Sequence, residues 1–135
     1  MSNIISRAVR GATTVENNTA EEIHNATVEL LKKMTEENSI SPDDIVNVIF
    51  TLTHDLNAGF PAKSARTDLH WNDVPMICTQ EIPVPDSLQK CIRVLITFNT
   101  TKPREEIKHI YLREARSLRP DLVDKKSKRA VNRPL

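Results

Sequence analysis

An arginine stands in the middle of one of the most apolar stretches of the chain, Cys91-Ile92-Arg93-Val94-Leu95-Ile96-Thr97-Phe98. A strand of this composition buries most of its side chains. A guanidinium inside it must therefore be paired or face a cavity. Residue types alone leave two readings of Arg93 open. One is a buried ion pair with a carboxylate such as Glu81. The other is a cationic donor in a pocket for an anion, a task that suits arginine because its planar fork holds carboxylates and oxyanions in fixed directions. Arg10, just before Gly11, is either a second anion donor or an ordinary strand-end charge. Glu81 ends a strand beside a proline-bearing loop, where solvated ends are common. Cys78 reads as a small core residue or a ligand contact, and Tyr111, the only tyrosine, as a half-buried packing residue.

Other chemical devices are missing. No serine occupies a strand-turn-helix nucleophile position. His24, His54, His70 and His109 are scattered among polar neighbours and read as surface or turn residues rather than bases. The two cysteines, Cys78 and Cys91, form no CxxC pair, and no His/Cys cluster has metal-ligand spacing. Only two glycines occur, Gly11 and Gly59, which excludes the glycine-rich loops that cradle nucleotide phosphates. No metal or cofactor is expected.

The elements that must position these residues follow from periodicity. Ile4 to Gly11 reads as a first strand ending at the glycine, with Arg7 and Arg10 on opposite faces. Thr19-Ala20-Glu21-Glu22 is a capping box. The helix after it carries Ile23, Ala26, Leu30, Leu31 and Met34 on one stripe and runs to Asn38. Ser41-Pro42-Asp43-Asp44 caps a short turn. Ile45 to Leu52 is β-branched and reads as a central strand. Phe60-Pro61 opens a short helix to Leu69. Strands follow at Pro75 to Glu81, Cys91 to Phe98 and His109 to Leu112, with a loop at 82–86, a helical turn from Lys102 and a turn at Arg119-Pro120-Asp121. The order β, α, β, α, β, β, β predicts an α+β fold, a small mixed β-sheet with packed helices. A sheet this small hides its edges poorly, which favours oligomers.

Bulk properties narrow the class. The chain has 135 residues, 39% hydrophobic and 27% charged, with net charge +1. That is one globular, soluble domain. Near-neutral charge and 4% aromatics argue against a nucleic-acid module or a membrane-surface protein. Arg7 and Arg10 interrupt any apolar core of a signal peptide, no run reaches membrane-spanning length, and two cysteines are too few for a disulfide framework. A cytoplasmic location with reduced thiols is expected. A single domain over 1–122 is followed by a basic tail over 123–135, with Lys125, Lys126, Lys128, Arg129 and Arg133, read as flexible and solvated, or else as a lid.

Six blocks carry a resemblance: VRGATTVE (Val9 to Glu16), AGFPAK (Ala58 to Lys63), CTQE (Cys78 to Glu81), KCIRV (Lys90 to Val94), HIYL (His109 to Leu112) and LRPDL (Leu118 to Leu122). In this order and spacing they resemble the AroH-type chorismate mutases from about Ile5 to Leu122. The resemblance implies a homotrimer around a pseudo-barrel core, with each active site between two subunits. It implies the conversion of chorismate to prephenate, an isomerase step toward phenylalanine and tyrosine, with no cofactor. By position, Arg93 is expected at the substrate's ether oxygen. Glu81 and Cys78 would meet the ring hydroxyl, and Arg10 and Tyr111 a carboxylate. Arg93, Glu81 and Arg10 form the implied catalytic set. The implied substrate wall includes the backbone of Ile77 and Thr79, with Gln80 beside them. Phe60 packs on the ligand, Lys63 and Arg66 add positive charge at the mouth, and Leu118 and Arg119 belong to a closing segment. Gly59 stands where the family usually has a larger residue, and Ile77 where it has a polar one. The alternative function is a non-catalytic trimeric sensor of chorismate or prephenate, which would keep Arg10 and Tyr111 but could dispense with Arg93.

Overall fold

The computed structural model describes residues 3–123. The basic tail expected over 123–135 lies outside them, apart from Val123, which closes the last helix. The elements in chain order are β1 (Ile5–Thr14), α1 (Ala20–Asn38), β2 (Ile45–Leu52), α2 (Pro61–Leu69), β3 (Met76–Gln80), β4 (Cys91–Thr100), β5 (Ile110–Tyr111) and α3 (Pro120–Val123). Short 3₁₀ turns lie at Pro42–Asp44, Arg104–Glu106 and Arg113–Ser117. The five strands form one mixed sheet in the order β3-β2-β4-β1-β5. β4 is antiparallel to both β1 and β2, whereas β2–β3 and β1–β5 are parallel. The architecture is α+β, and β4 rather than β2 holds the middle.

α1 starts as its sequence predicts: the Thr19 hydroxyl accepts the Glu22 N–H at 3.1 Å. The reciprocal half differs from a standard capping box. The Glu22 carboxylate accepts the backbone N–H groups of Glu16 (3.1 Å) and Asn17 (2.9 Å), so it ties down the approach to the helix rather than the cap residue itself. The apolar stripe of α1, Ile23, Ala26, Leu30, Leu31 and Met34, is buried against one face of the sheet, where Val9, Val48, Phe50, Ile92, Val94, Ile96 and Phe98 complete the core. Removing one such side chain, as in Leu30→Ala, would cost about 2–5 kcal/mol. With only two glycines in the chain, the left-handed C-caps of α1 and α2 fall to Ser39 (φ 54°) and His70 (φ 61°).

The strand expected to stop at Gly11 continues to Thr14. Gly11 is not a turn residue. A Cβ there would overlap Met34 Sδ and lie 2.9 Å from its Cε, so the missing side chain lets α1 sit directly on β1. Gly59 differs: a Cβ would meet only Ala20 at 3.7–3.8 Å, an ordinary contact, so no close approach requires glycine there.

Candidate active site

Sheet register builds the first half of the site. Arg93 pairs with Thr51 of β2 on one side and Ala12 of β1 on the other; Thr51 pairs in turn with Thr79 of β3, and Ala12 with Tyr111 of β5. These five residues therefore form one row on the face away from α1 and α2. Arg10 is the diagonal neighbour of Arg93 on the same face, about 7–8 Å away between backbones. Ala12, small and fully buried, lies in the row between Arg93 and Tyr111, which stand roughly 10 Å apart at two strand spacings. Tyr111 and Leu118 pack on the small cluster of Ala12, Cys91 and Ala115, so the 3₁₀ turn after β5 covers the Ala12 end of the row.

Arg93 resolves its two readings in an unexpected way. Its Nε lies 3.1 Å from Glu81 Oε2, yet its side chain is 49% exposed. It is both paired and half exposed on the open face. The same Glu81 oxygen accepts the hydroxyl of Thr51, and the Glu81 N–H extends the ladder to Leu52 O at 2.9 Å. A guanidinium held by its Nε keeps its terminal fork for another acceptor. Cys91, beside it, is buried, and that burial pushes its thiol up to about 11. It is a packing thiol and not a nucleophile.

The second half lies elsewhere. A cleft of about 730 Å³ opens between the start of α1, the 56–60 loop, α2 and the β3 edge, lined by Phe60, Lys63, Cys78, Thr79 and Gln80 among others. Phe60 is 72% exposed, an unusual state for a large apolar side chain. Alternation along β3 turns Cys78 toward the helix-covered core and Thr79 toward the Arg93 row. Within this chain, then, Cys78 and Glu81 point to opposite sides of the sheet, and Phe60 and Lys63 lie on the cleft side, away from the Arg93 row. Ile77 is exposed on the open face, and Arg66 sits exposed in the last turn of α2, outside the lining of the cleft. Arg119 is occupied by Asp121 in a two-point pair (Nε–Oδ1 3.0 Å, Nη2–Oδ2 2.8 Å), which raises its pKa, chiefly through that hydrogen bond.

The chain matches the chorismate mutase type I family over residues 6–122. It belongs to that family. It is 48% identical over 116 residues to chorismate mutase AroH of Bacillus subtilis, covering 86% of this chain and 91% of that protein. It is 51% identical over 117 residues to chorismate mutase AroH of Thermus thermophilus, covering 86% and 95%. Among solved structures, a chorismate mutase from Clostridium thermocellum superposes with a TM-score of 0.81 at 50% identity, covering 82% of this chain and 98% of that one. The match thus spans nearly the whole length of these relatives, and the solved one shares the fold.

Residue-by-residue reading missed two contributors. Thr51 looked like an ordinary strand threonine, and nothing in its local sequence points to Glu81. His109 looked like a turn residue, yet its Nδ1 accepts the backbone N–H of Arg10 at 2.9 Å. Only its place in the HIYL block set it apart from the other histidines. Among the described residues no group of three or more His, Cys, Asp or Glu is arranged to hold a metal, and no helix is long and apolar enough to cross a membrane.

Proposed function

We propose that this chain rearranges chorismate to prephenate, with the guanidinium of Arg93 at the breaking ether bond. The carrying observation is the Glu81–Arg93–Thr51 arrangement: a strand-borne arginine oriented by a carboxylate and still half exposed on an open face.

Chorismate is a dianion, and its rearrangement is concerted. The ether C–O bond breaks as a C–C bond forms within one molecule, and no proton is transferred. The protein has two tasks. Arg10 and Tyr111 hold a carboxylate and Glu81 the ring hydroxyl, so the folded conformer is selected on binding and orientation is settled before reaction. Negative charge then grows on the ether oxygen. A guanidinium fixed there interacts more strongly with the transition state than with the ground state, and so raises kcat and not only affinity.

The functional unit is a homotrimer. Support comes from the two separated half-sites and from the open face, where Ile77 is 61% exposed and Ile49 and Leu95 are only half-buried. A neighbouring subunit's cleft, with Phe60, Lys63, Cys78, Thr79 and Gln80, would complete the groove holding Arg93, Glu81, Arg10 and Tyr111. Arg66 would stand at the mouth, the Ile77 backbone in the wall, and Leu118 and Arg119 in the closing segment. Residues 1–122 form the single catalytic domain of a cytoplasmic enzyme of phenylalanine and tyrosine biosynthesis, and 123–135 its tail.

The test is loss of chorismate absorbance with purified protein beside an Arg93→Ala variant, with sedimentation to give the subunit number. Rapid loss that depends on Arg93 supports the reading. Saturable binding without turnover would replace it with the sensor.

A further inference from the structure

His109 leads beyond the residues expected to touch substrate. β1 pairs with β4 along its whole length, but on its other side β5 offers only Ile110 and Tyr111. The Ala12 carbonyl is met there by the Leu112 N–H at 2.9 Å. Two residues back, the Arg10 N–H points to the same side, and the two-residue strand does not reach it. His109 Nδ1 accepts it instead, at 2.9 Å. An imidazole thus stands in for a ladder carbonyl, at a residue whose side chain is read as a carboxylate holder. As an acceptor, Nδ1 carries no proton.

Asn38 determines where His109 stands. It is buried in the last turn of α1 and grips Lys108 from both directions. Its Oδ1 accepts the Lys108 N–H at 2.7 Å, and its Nδ2 donates to the Lys108 carbonyl at 2.9 Å and to Met34 O at 2.8 Å. Its own carbonyl accepts from Lys102 Nζ at 2.9 Å. A buried amide with both donors used holds its partner strictly, because every alternative leaves a polar group unpaired. A continuous chain therefore runs from α1 through Asn38, Lys108 and His109 to Arg10.

We propose that His109, seated by Asn38, is a positioning residue for chorismate binding: its Nδ1 fixes the Arg10 backbone, and with it the guanidinium that holds a substrate carboxylate. The proposal rests on the reading of Arg10 given above. It assigns a task to a histidine outside the set expected to touch substrate, and it explains how so short a β5 can order the β1 edge beside it.

The experiment compares kcat and KM for chorismate in the wild-type protein, His109→Asn, His109→Gln and Arg10→Ala, with melting temperatures alongside. Asparagine places an oxygen near the position of Nδ1, whereas glutamine extends to that of Nε2. The Arg10→Ala variant is expected to raise KM. His109→Gln should raise KM about tenfold, the worth of one lost hydrogen bond, with kcat less affected. His109→Asn should restore most of the loss. A merely structural role would lower melting temperature and active fraction together, without moving KM or separating asparagine from glutamine. Unchanged KM in His109→Gln beside raised KM in Arg10→Ala overturns the proposal, as do equal KM values for the two His109 variants. Unchanged KM in Arg10→Ala overturns the Arg10 reading itself. Should a His109 variant not fold, Asn38→Asp keeps the acceptor for Lys108 and loses both donations, and carries the same expectation of raised KM.

Discussion

Glu81 Oε2 lies 3.1 Å from Arg93 Nε, and the same oxygen accepts a hydrogen bond from the Thr51 hydroxyl. One carboxylate oxygen thus joins three strands, since Glu81 follows β3, Thr51 is on β2 and Arg93 is on β4. The carboxylate orients the guanidinium from its Nε side, and the threonine orients the carboxylate.

If that guanidinium meets the ether oxygen, Arg93→Ala lowers kcat by about 10²–10³, the usual loss for one oxyanion donor. Arg93→Lys fails largely too, because a point charge cannot both pair with Glu81 and present a fork. Initial rates of chorismate loss check both. Near-normal turnover in either variant would remove Arg93 from the centre of the site.

Thr51→Val keeps the strand and its β-branch but removes the hydroxyl. Glu81 then loses one of its two anchors, and kcat falls by a factor of about 3–10, in keeping with one hydrogen bond. Thermal stability should change little, because Thr51 is only half-buried. An unaltered kcat would show that Arg93 alone suffices to orient the carboxylate.

Gly11→Ala places a Cβ against Met34, which is fully buried and has little room to yield. Overpacking of this kind costs about 1–3 kcal/mol. Denaturant melts should show the loss, and Met34→Ala in the same chain should be less than additive with it, since the clash is between those two side chains.

The two thiols should differ in reactivity. Cys91 is buried and pushed up to about 11, so an aromatic disulfide reagent near pH 8 leaves it untouched in the native protein. Cys78 is half-buried and lines the cleft, and should react. One thiol titrated natively and two after unfolding is the expected result, with chorismate slowing the first. Two native equivalents would contradict the burial of Cys91.

Acid should loosen the entry to α1. The Glu22 carboxyl is held below its ordinary value of 4.5, foremost by the Asn17 backbone N–H. A depressed folded-state pKa contributes stability that is present above the unfolded value and is lost as pH falls through the folded one. Melting temperatures between pH 6 and pH 3 should therefore fall more steeply for the wild type than for Glu22→Gln. Parallel curves would assign the acid loss to other carboxylates.

Strongly periodic elements were legible in the sequence. The α1 stripe with its Thr19 cap, and the strands at 45–52, 75–81 and 91–98, needed only local spacing, because burial on one face imposes period 3.6 or 2. Gly11 was misread because a glycine required by close packing looks, in one dimension, like a glycine required by a turn. Its reason, Met34, lies 23 residues away across the β1–α1 contact.

The same division runs through the site. By itself the sequence determined which residue types were available: a strand-borne Arg93, a nearby acid, and blocks that resemble one family closely enough to imply its reaction. Only the tertiary structure decided their relations. Register, not spacing, put Arg93 between Thr51 and Ala12 and on the same face as Arg10 and Tyr111. Alternation along β3 sent Cys78 to one side of the sheet and Thr79 to the other. The physical reason is that a strand's side-chain period is local, whereas the partner it meets is chosen by pairing between segments far apart in the chain.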